Sequence, residues 1–199
     1  MPQEFVKSNV RRKISVREIV LCGMFAAVTA VLSQISVPIG PVPISCSWIA
    51  VFLTGLLLPM RPAVLSQIVY LLLGTVGVPV FAGFQSGVAR LAGPTGGYLL
   101  AYPIMVFIIA AMMKVYDKKV SAKKTLSRAL FVVGTLILSA VVCYTCGTAW
   151  FTVFSGSSFG KALSLTVFPF LAGDIAKIAL CTVLALSARP QLKKVMQAK

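Results

Sequence analysis

Apolar residues run along this chain in long blocks separated by short polar or glycine- and proline-rich stretches. A helix that crosses a bilayer needs about 20 mostly apolar residues, and a buried soluble helix rarely sustains such a run. Six blocks fit: about Val16 to Ser36, Ser47 to Leu58, Pro62 to Val76, Gly97 to Met113, Ala129 to Phe154, and a sixth within Leu163 to Ser187. The second and third are short and leave little room for tilt. Between them stands Pro59-Met60-Arg61-Pro62, a helix break. Pro169 either opens the sixth helix or kinks it. The pattern predicts an all-α integral membrane protein with six transmembrane helices. It forms a single transmembrane domain over residues 1–199, with basic tails at about 1–15 and 188–199. The first block follows bases, as a signal peptide would. It is too long for one, lacks a small-x-small cleavage site, and precedes five more blocks.

Composition strengthens this reading. Hydrophobic residues make up 58% of the 199, mean hydropathy is +0.95, and only 12% are charged, against roughly 25% in a soluble domain. The chain has no histidine, which excludes a histidine-based triad, a histidine zinc site and an imidazole base. Nothing resembles a catalytic site, so no enzyme activity and no cofactor are expected. Gly156-Ser157-Ser158-Phe159-Gly160-Lys161-Ala162 looks like a phosphate-binding loop but has three residues between its glycines and Ala after the Lys. Five cysteines form no disulfide framework. Cys143 and Cys146 sit within an apolar helix and read as small packing residues.

Charge placement carries more information. Nineteen bases oppose four acids, for a net charge of +15. All the bases except Arg90, Lys161 and Lys177 fall on one side of the six-span topology: at the N-terminus (Lys7, Arg11, Arg12, Lys13, Arg17), at Arg61, in the fourth-to-fifth connection and at the C-terminus. Positive residues stay cytoplasmic, so both termini are expected to face the cytoplasm of a multi-pass cell-membrane protein. The basic clusters then meet anionic lipid headgroups, and no nucleic-acid partner is expected. Glu4, Glu18 and Asp117 lie among these bases and read as surface pairs.

Asp174 is different. It lies inside the apolar sixth block, with Lys177 three residues on and on the same helix face. An ionisable side chain inside a span costs at least a few kcal/mol and marks a functional site by default. Arg90 lies on the outer side in Gly83-Phe84-Gln85-Ser86-Gly87-Val88-Ala89-Arg90, part of a long glycine-rich connection. Irregular backbone at membrane depth persists only where it is buried or lines a cavity. Arg90 and Lys177 are therefore placed to meet an anion entering from outside, and Asp174 to accept N–H groups. The first block carries Gly23, Ala26, Ala27 and Ala30. Small residues four apart let another helix approach closely, either within the bundle or from a partner.

Together, several stretches resemble the BioY family, the biotin-specific substrate-binding (S) components of energy-coupling factor (ECF) transporters. They are Leu73-Gly74-Thr75-Val76-Gly77-Val78-Pro79-Val80-Phe81-Ala82-Gly83 with Gly93-Pro94-Thr95-Gly96-Gly97-Tyr98; Gln34-Ile35-Ser36-Val37-Pro38-Ile39-Gly40-Pro41-Val42-Pro43-Ile44; and the D-x-x-K of Asp174 and Lys177. The resemblance spans roughly residues 15 to 187. It implies an S-component-like six-helix bundle that binds biotin near its outer face, with Asp174 and Lys177 at the ligand. It also implies an A-x-x-x-A contact, here Ala26 and Ala30, with a coupling membrane (T) subunit, and two cytoplasmic ATPase subunits to supply energy. Phe84 departs from the small residue expected at its position. Ser45-Cys46-Ser47-Trp48 departs from the Thr- and Gln-containing run expected at the second helix.

Biotin has ureido N–H donors, an apolar thiophane and chain, and a carboxylate. Asp174 suits the ureido group, Arg90 or Lys177 the carboxylate, and Trp48, Phe81 and Tyr98 the apolar walls. Gly83 and Gln85 join them as ligand-site candidates. The partner-interface candidates are Ala26, Ala30, Gly23 and Ala27. The competing readings are a self-contained secondary transporter, against which the short chain and absence of a repeat weigh, and an S component for another small anionic vitamin.

Overall fold

The structure is a computed structural model that describes residues 15–38, 42–120 and 124–197, with side chains through residue 192. The basic residues Lys7, Arg11, Arg12, Lys13 and Lys123, the acid Glu4, and Ile39 to Pro41 of the proline-rich stretch lie outside the described residues. So do Lys199 and the side chains of Lys193 and Lys194.

Helix α1 spans Val16–Gln34. Ser15 accepts the Glu18 N–H, and the Glu18 carboxylate accepts the Ser15 N–H at 3.0 Å. Glu18 thus closes a capping box, where a surface ion pair was expected. A two-residue antiparallel hairpin, β1 (Ser36–Val37) and β2 (Ile44–Ser45), leads into α2 (Ser47–Leu57) and α3 (Met60–Thr75). The break between these helices is shorter than the four-residue stretch expected. Pro59 caps α3 and Pro62 lies within its first turn, where proline's missing N–H has no intrahelical acceptor to lose.

The connection beyond α3 contains the five-residue helix α4 (Val88–Ala92). Helices α5 (Gly96–Leu100) and α6 (Tyr102–Val115) then run almost continuously into a π-helical turn, Tyr116–Val120. Helix α7 is long, Thr125–Ser155, and ends at Gly156 in a left-handed conformation (φ +64°). That geometry explains the first glycine of the loop-like 156–162 stretch: it stops one helix before α8 (Phe159–Thr166) begins. A 3-10 turn containing Pro169 precedes α9, Leu171–Gln197, so Pro169 stands before this helix and Pro190 lies inside it.

Helices stand at all six expected places. Among the described residues, four segments are long and apolar enough to cross a membrane: Val16–Gln34, Gly96–Val120, Thr125–Ser155 and Phe159–Leu192. Helices α2 and α3, at 11 and 16 residues, fall short of that length. By length and hydropathy alone, the described residues mark four crossings.

Helix α2 forms the centre of the bundle. It packs on α1, α6 and α9, and Ala50, Val51, Phe52 and Leu56 are completely buried. Outward faces stay apolar: Val20, Met24, Val28 and Val31 on α1, Leu130, Ile137 and Val141 on α7, and Ile175 and Val183 on α9 are exposed. A surface of this composition suits lipid.

One end of the bundle is tied by charge. Arg189 from α9 donates from Nη2 to Asp117 Oδ2 at 2.9 Å and from Nε to Oδ1 at 3.3 Å, and also donates to the Leu56 carbonyl at the end of α2. Arg128 donates to the Tyr116 hydroxyl at 2.9 Å. Asp117, expected as a surface pair, therefore binds a base from a distant helix.

Candidate functional site

At the opposite end of the bundle, the connections after α1, α3 and α7 meet over a cavity of about 610 Å³, counting its open mouth. Six of its lining residues are aromatic: Trp48, Phe81, Tyr98, Tyr102, Tyr144 and Phe170. Asp174, Lys177, Tyr144 and Arg90 supply the charged and strongly polar groups.

Asp174 falls in the first turn of α9, where the helix's positive end favours a carboxylate. It is 6% exposed. Lys177, one turn on, donates to Asp174 Oδ1 at 2.9 Å, and the Tyr144 hydroxyl from α7 donates to Oδ2. The Lys177 ammonium also lies 6.0 Å from the centre of the Trp48 ring, which packs 5.1 Å from the Tyr144 ring. The carboxylate is thus paired and hydrogen-bonded, the condition under which a buried charge persists. With about four lone-pair sites it still has room for further donors.

Arg90, on α4, lines the same cavity. Among the described residues, no carboxylate lies within salt-bridge distance of it. Partial burial draws its pKa below the ordinary guanidinium value, but an arginine stays protonated. The cavity therefore holds one compensated base and one uncompensated base.

Two aromatic walls rest on glycines. A Cβ at Gly74 would collide with the Phe81 ring, and one at Gly147 with the Tyr98 ring. Phe81 is 1% exposed and stands edge-to-face against Tyr70, 5.7 Å away. Tyr102 joins the wall by hydrogen-bonding Ser47 at 2.7 Å.

Of the ligand candidates read from sequence, the structure brings Asp174, Lys177, Arg90, Phe81, Tyr98 and Trp48 to the cavity. Gly83 and Gln85 are not part of its lining. Both belong to a tight turn in which Phe81 and Gln85 exchange backbone hydrogen bonds at 3.0 and 3.2 Å. Their part is to shape the backbone that carries Phe81. Lys161 is exposed on α8, away from the lining. Tyr144, Tyr102, Thr95 and Thr166 were not anticipated. The one sequence signal for Tyr144 is a hydroxyl-bearing ring within an apolar helix, next to the dismissed Cys143–Cys146 pair.

The small residues of α1 divide between two faces. Ala26 is 2% exposed in the core, and Ala30 is partly buried against it. Gly23 and Ala27 are exposed. As the chain is folded, Ala26 offers no surface to a partner.

The model of the BioY family matches residues 6–194. The chain is 39% identical over 169 residues to the probable biotin transporter BioY of Pyrococcus horikoshii, covering 85% of this chain and 94% of that one. It is 35% identical over 167 residues to the biotin transporter BioY2 of Lactococcus lactis, covering 84% and 87%. With the biotin transporter BioY of Thermotoga maritima it shares 32% over 170 residues, covering 85% and 94%. The fold matches the crystal structure of the S component for biotin from an ECF-type ABC transporter. The TM-score is 0.76 and the identity 23%, with 92% of this chain and 93% of that one aligned.

Proposed function

The chain belongs to the BioY family, and from that membership we propose that it is the membrane-embedded biotin-binding subunit of an ECF-type vitamin uptake transporter. The observation that carries the proposal is the cavity in which Asp174, Lys177 and Tyr144 form one hydrogen-bonded group beside the uncompensated Arg90. Biotin is neutral and polar at its ureido end and anionic at the other. The Asp174 carboxylate accepts a ureido N–H while Lys177 and Tyr144 hold it in place. Arg90 pairs with the biotin carboxylate, because Lys177 is already neutralised by Asp174. Trp48, Phe81, Tyr98 and Tyr102 enclose the thiophane and chain. A site built to satisfy a ureido group rejects analogues that leave its polar groups unpaired.

In this reading α1, α2, α3, the α5–α6 pair, α7 and α9 form a six-helix S-component bundle in one domain. The connections over the cavity face outward, and both termini face the cytoplasm of the cell membrane. That orientation leaves the basic residues near Arg61, Lys114, Arg128 and Arg189 on the inner side. The chain has no catalytic role and takes biotin as cargo; separate ATPase subunits supply the energy. The coupling membrane subunit docks on α1 through Gly23 and Ala27, the small residues that remain exposed, since Ala26 is buried in the bundle and Ala30 partly so.

The test is biotin binding to the purified full-length protein, with the Asp174→Asn and Lys177→Ala variants beside it. Saturable binding by the unaltered protein, weakened in both variants, is expected. No binding by the unaltered protein overturns the function, and unchanged affinity in both variants overturns the site.

A further inference from the structure

The turn at residues 81–85 places Phe81 in the cavity wall, yet its backbone is unfavourable on its own. Gly83 and Phe84 both adopt left-handed conformations, at φ +72° and +57°. Glycine accepts this; a phenylalanine does not do so readily. The Phe84 side chain is 71% exposed, so its own packing does not hold the conformation in place. The holding group comes from another element. Gln34, the last residue of α1, accepts the Phe84 N–H on Oε1 at 2.8 Å. Its Nε2 donates to the Val80 carbonyl at 3.1 Å and to the Ala30 carbonyl of its own helix at 3.0 Å, with the Pro79 carbonyl at 3.5 Å. One carboxamide therefore bonds the backbone on both sides of Phe81 and anchors it to α1. Its neighbour Ser33 reinforces this through the Tyr70 hydroxyl at 2.8 Å, which reaches the same Val80 carbonyl at 3.3 Å.

We propose that Gln34 is a positioning residue for the cavity: from the end of α1 it fixes the 81–85 turn, and so sets how long a bound ligand is retained behind Phe81. Asparagine is one methylene too short to span these partners, and glutamate keeps the acceptor but, when ionised, loses the donors. The effect on ligand retention rests on the biotin reading above; the effect on the turn does not.

The experiment uses the full-length protein in lipid nanodiscs, with Gln34→Ala, Phe84→Gly and the double variant. Amide hydrogen exchange in the ligand-free protein reports the turn, and the biotin dissociation rate reports retention. Gln34→Ala is expected to speed exchange within residues 78–86 while leaving α7 and α9 unchanged, and to raise the dissociation rate by about tenfold, as for the loss of one or two hydrogen bonds. Phe84→Gly removes the unfavourable left-handed phenylalanine, so the double variant is expected to recover most of both effects. A general weakening of α1 would not be rescued in this way. Wild-type exchange and dissociation in Gln34→Ala overturn the proposal, and so does a failure of Phe84→Gly to rescue. Faster exchange at 78–86 with no biotin binding by the unaltered protein supports the positioning role while overturning the biotin reading.

Discussion

Lys177 Nζ lies 2.9 Å from Asp174 Oδ1, one turn along the same helix. The two ionisable groups that the apolar span could least accommodate thus neutralise each other before any ligand arrives. Removing one partner leaves the other as an uncompensated buried charge, which costs far more than the net worth of the pair. Asp174→Asn is therefore expected to weaken biotin binding by about ten- to a hundredfold, the scale of a lost charged hydrogen-bond acceptor. Titration calorimetry on the purified protein measures it.

The Tyr144 hydroxyl contributes through Asp174, not through a charge of its own. Tyr144→Phe keeps the ring against Trp48 and removes only this donor. Its affinity for biotin is expected to fall by about three- to tenfold, the worth of one hydrogen bond, with thermal stability nearly unchanged. Parallel binding and melting curves separate the two quantities.

Arg90 is expected to recognise only the carboxylate end of the ligand. Arg90→Gln should lower affinity for biotin by about tenfold or more, the worth of a charged hydrogen bond, and leave affinity for biotin amide unaltered. Equal losses for both compounds would reassign Arg90 to shaping the wall.

Gly74 and Gly147 make room for Phe81 and Tyr98. Gly147→Ala adds a single methyl group, yet it must displace the Tyr98 ring. Binding is expected to fall, with about 1–3 kcal/mol of stability lost to overpacking. Restoring space with Tyr98→Leu should recover stability but not affinity, as measured by thermal unfolding and calorimetry.

The two faces of α1 are expected to respond differently. Gly23→Leu with Ala27→Leu should leave biotin binding intact and abolish co-purification with the coupling subunit. Ala26→Leu enlarges a side chain that is 2% exposed and should destabilise the bundle itself, by about 1–3 kcal/mol. Loss of co-purification in Ala26→Leu alone, at unchanged stability, would return the interface to that face.

Much of the molecule is legible from its residues one at a time. Apolar runs near 20 residues announce membrane helices because lipid leaves the backbone no other hydrogen-bond partners. A lone Asp-x-x-Lys in such a run announces a site because burying charge is expensive, and the cavity contains both residues. The quiet half of the site carries no such signal. Tyr144 and Tyr102 read as ordinary members of apolar helices, and only the crossing of α7 over α9 aims the Tyr144 hydroxyl at a carboxylate thirty positions later. Helix α1 is apolar on every side, so no periodicity distinguishes Ala26 from Ala27; packing on α2 and α3 buries the first and exposes the second. Gln85 and Gly83 adjoin Phe81 in sequence, but the turn they form with it leaves both outside the cavity lining. Hydrophobicity and charge are properties of single residues and survive in the sequence. Which faces meet, and which hydroxyl reaches which carboxylate, depends on helix rotation and crossing, and those exist only once the chain is packed.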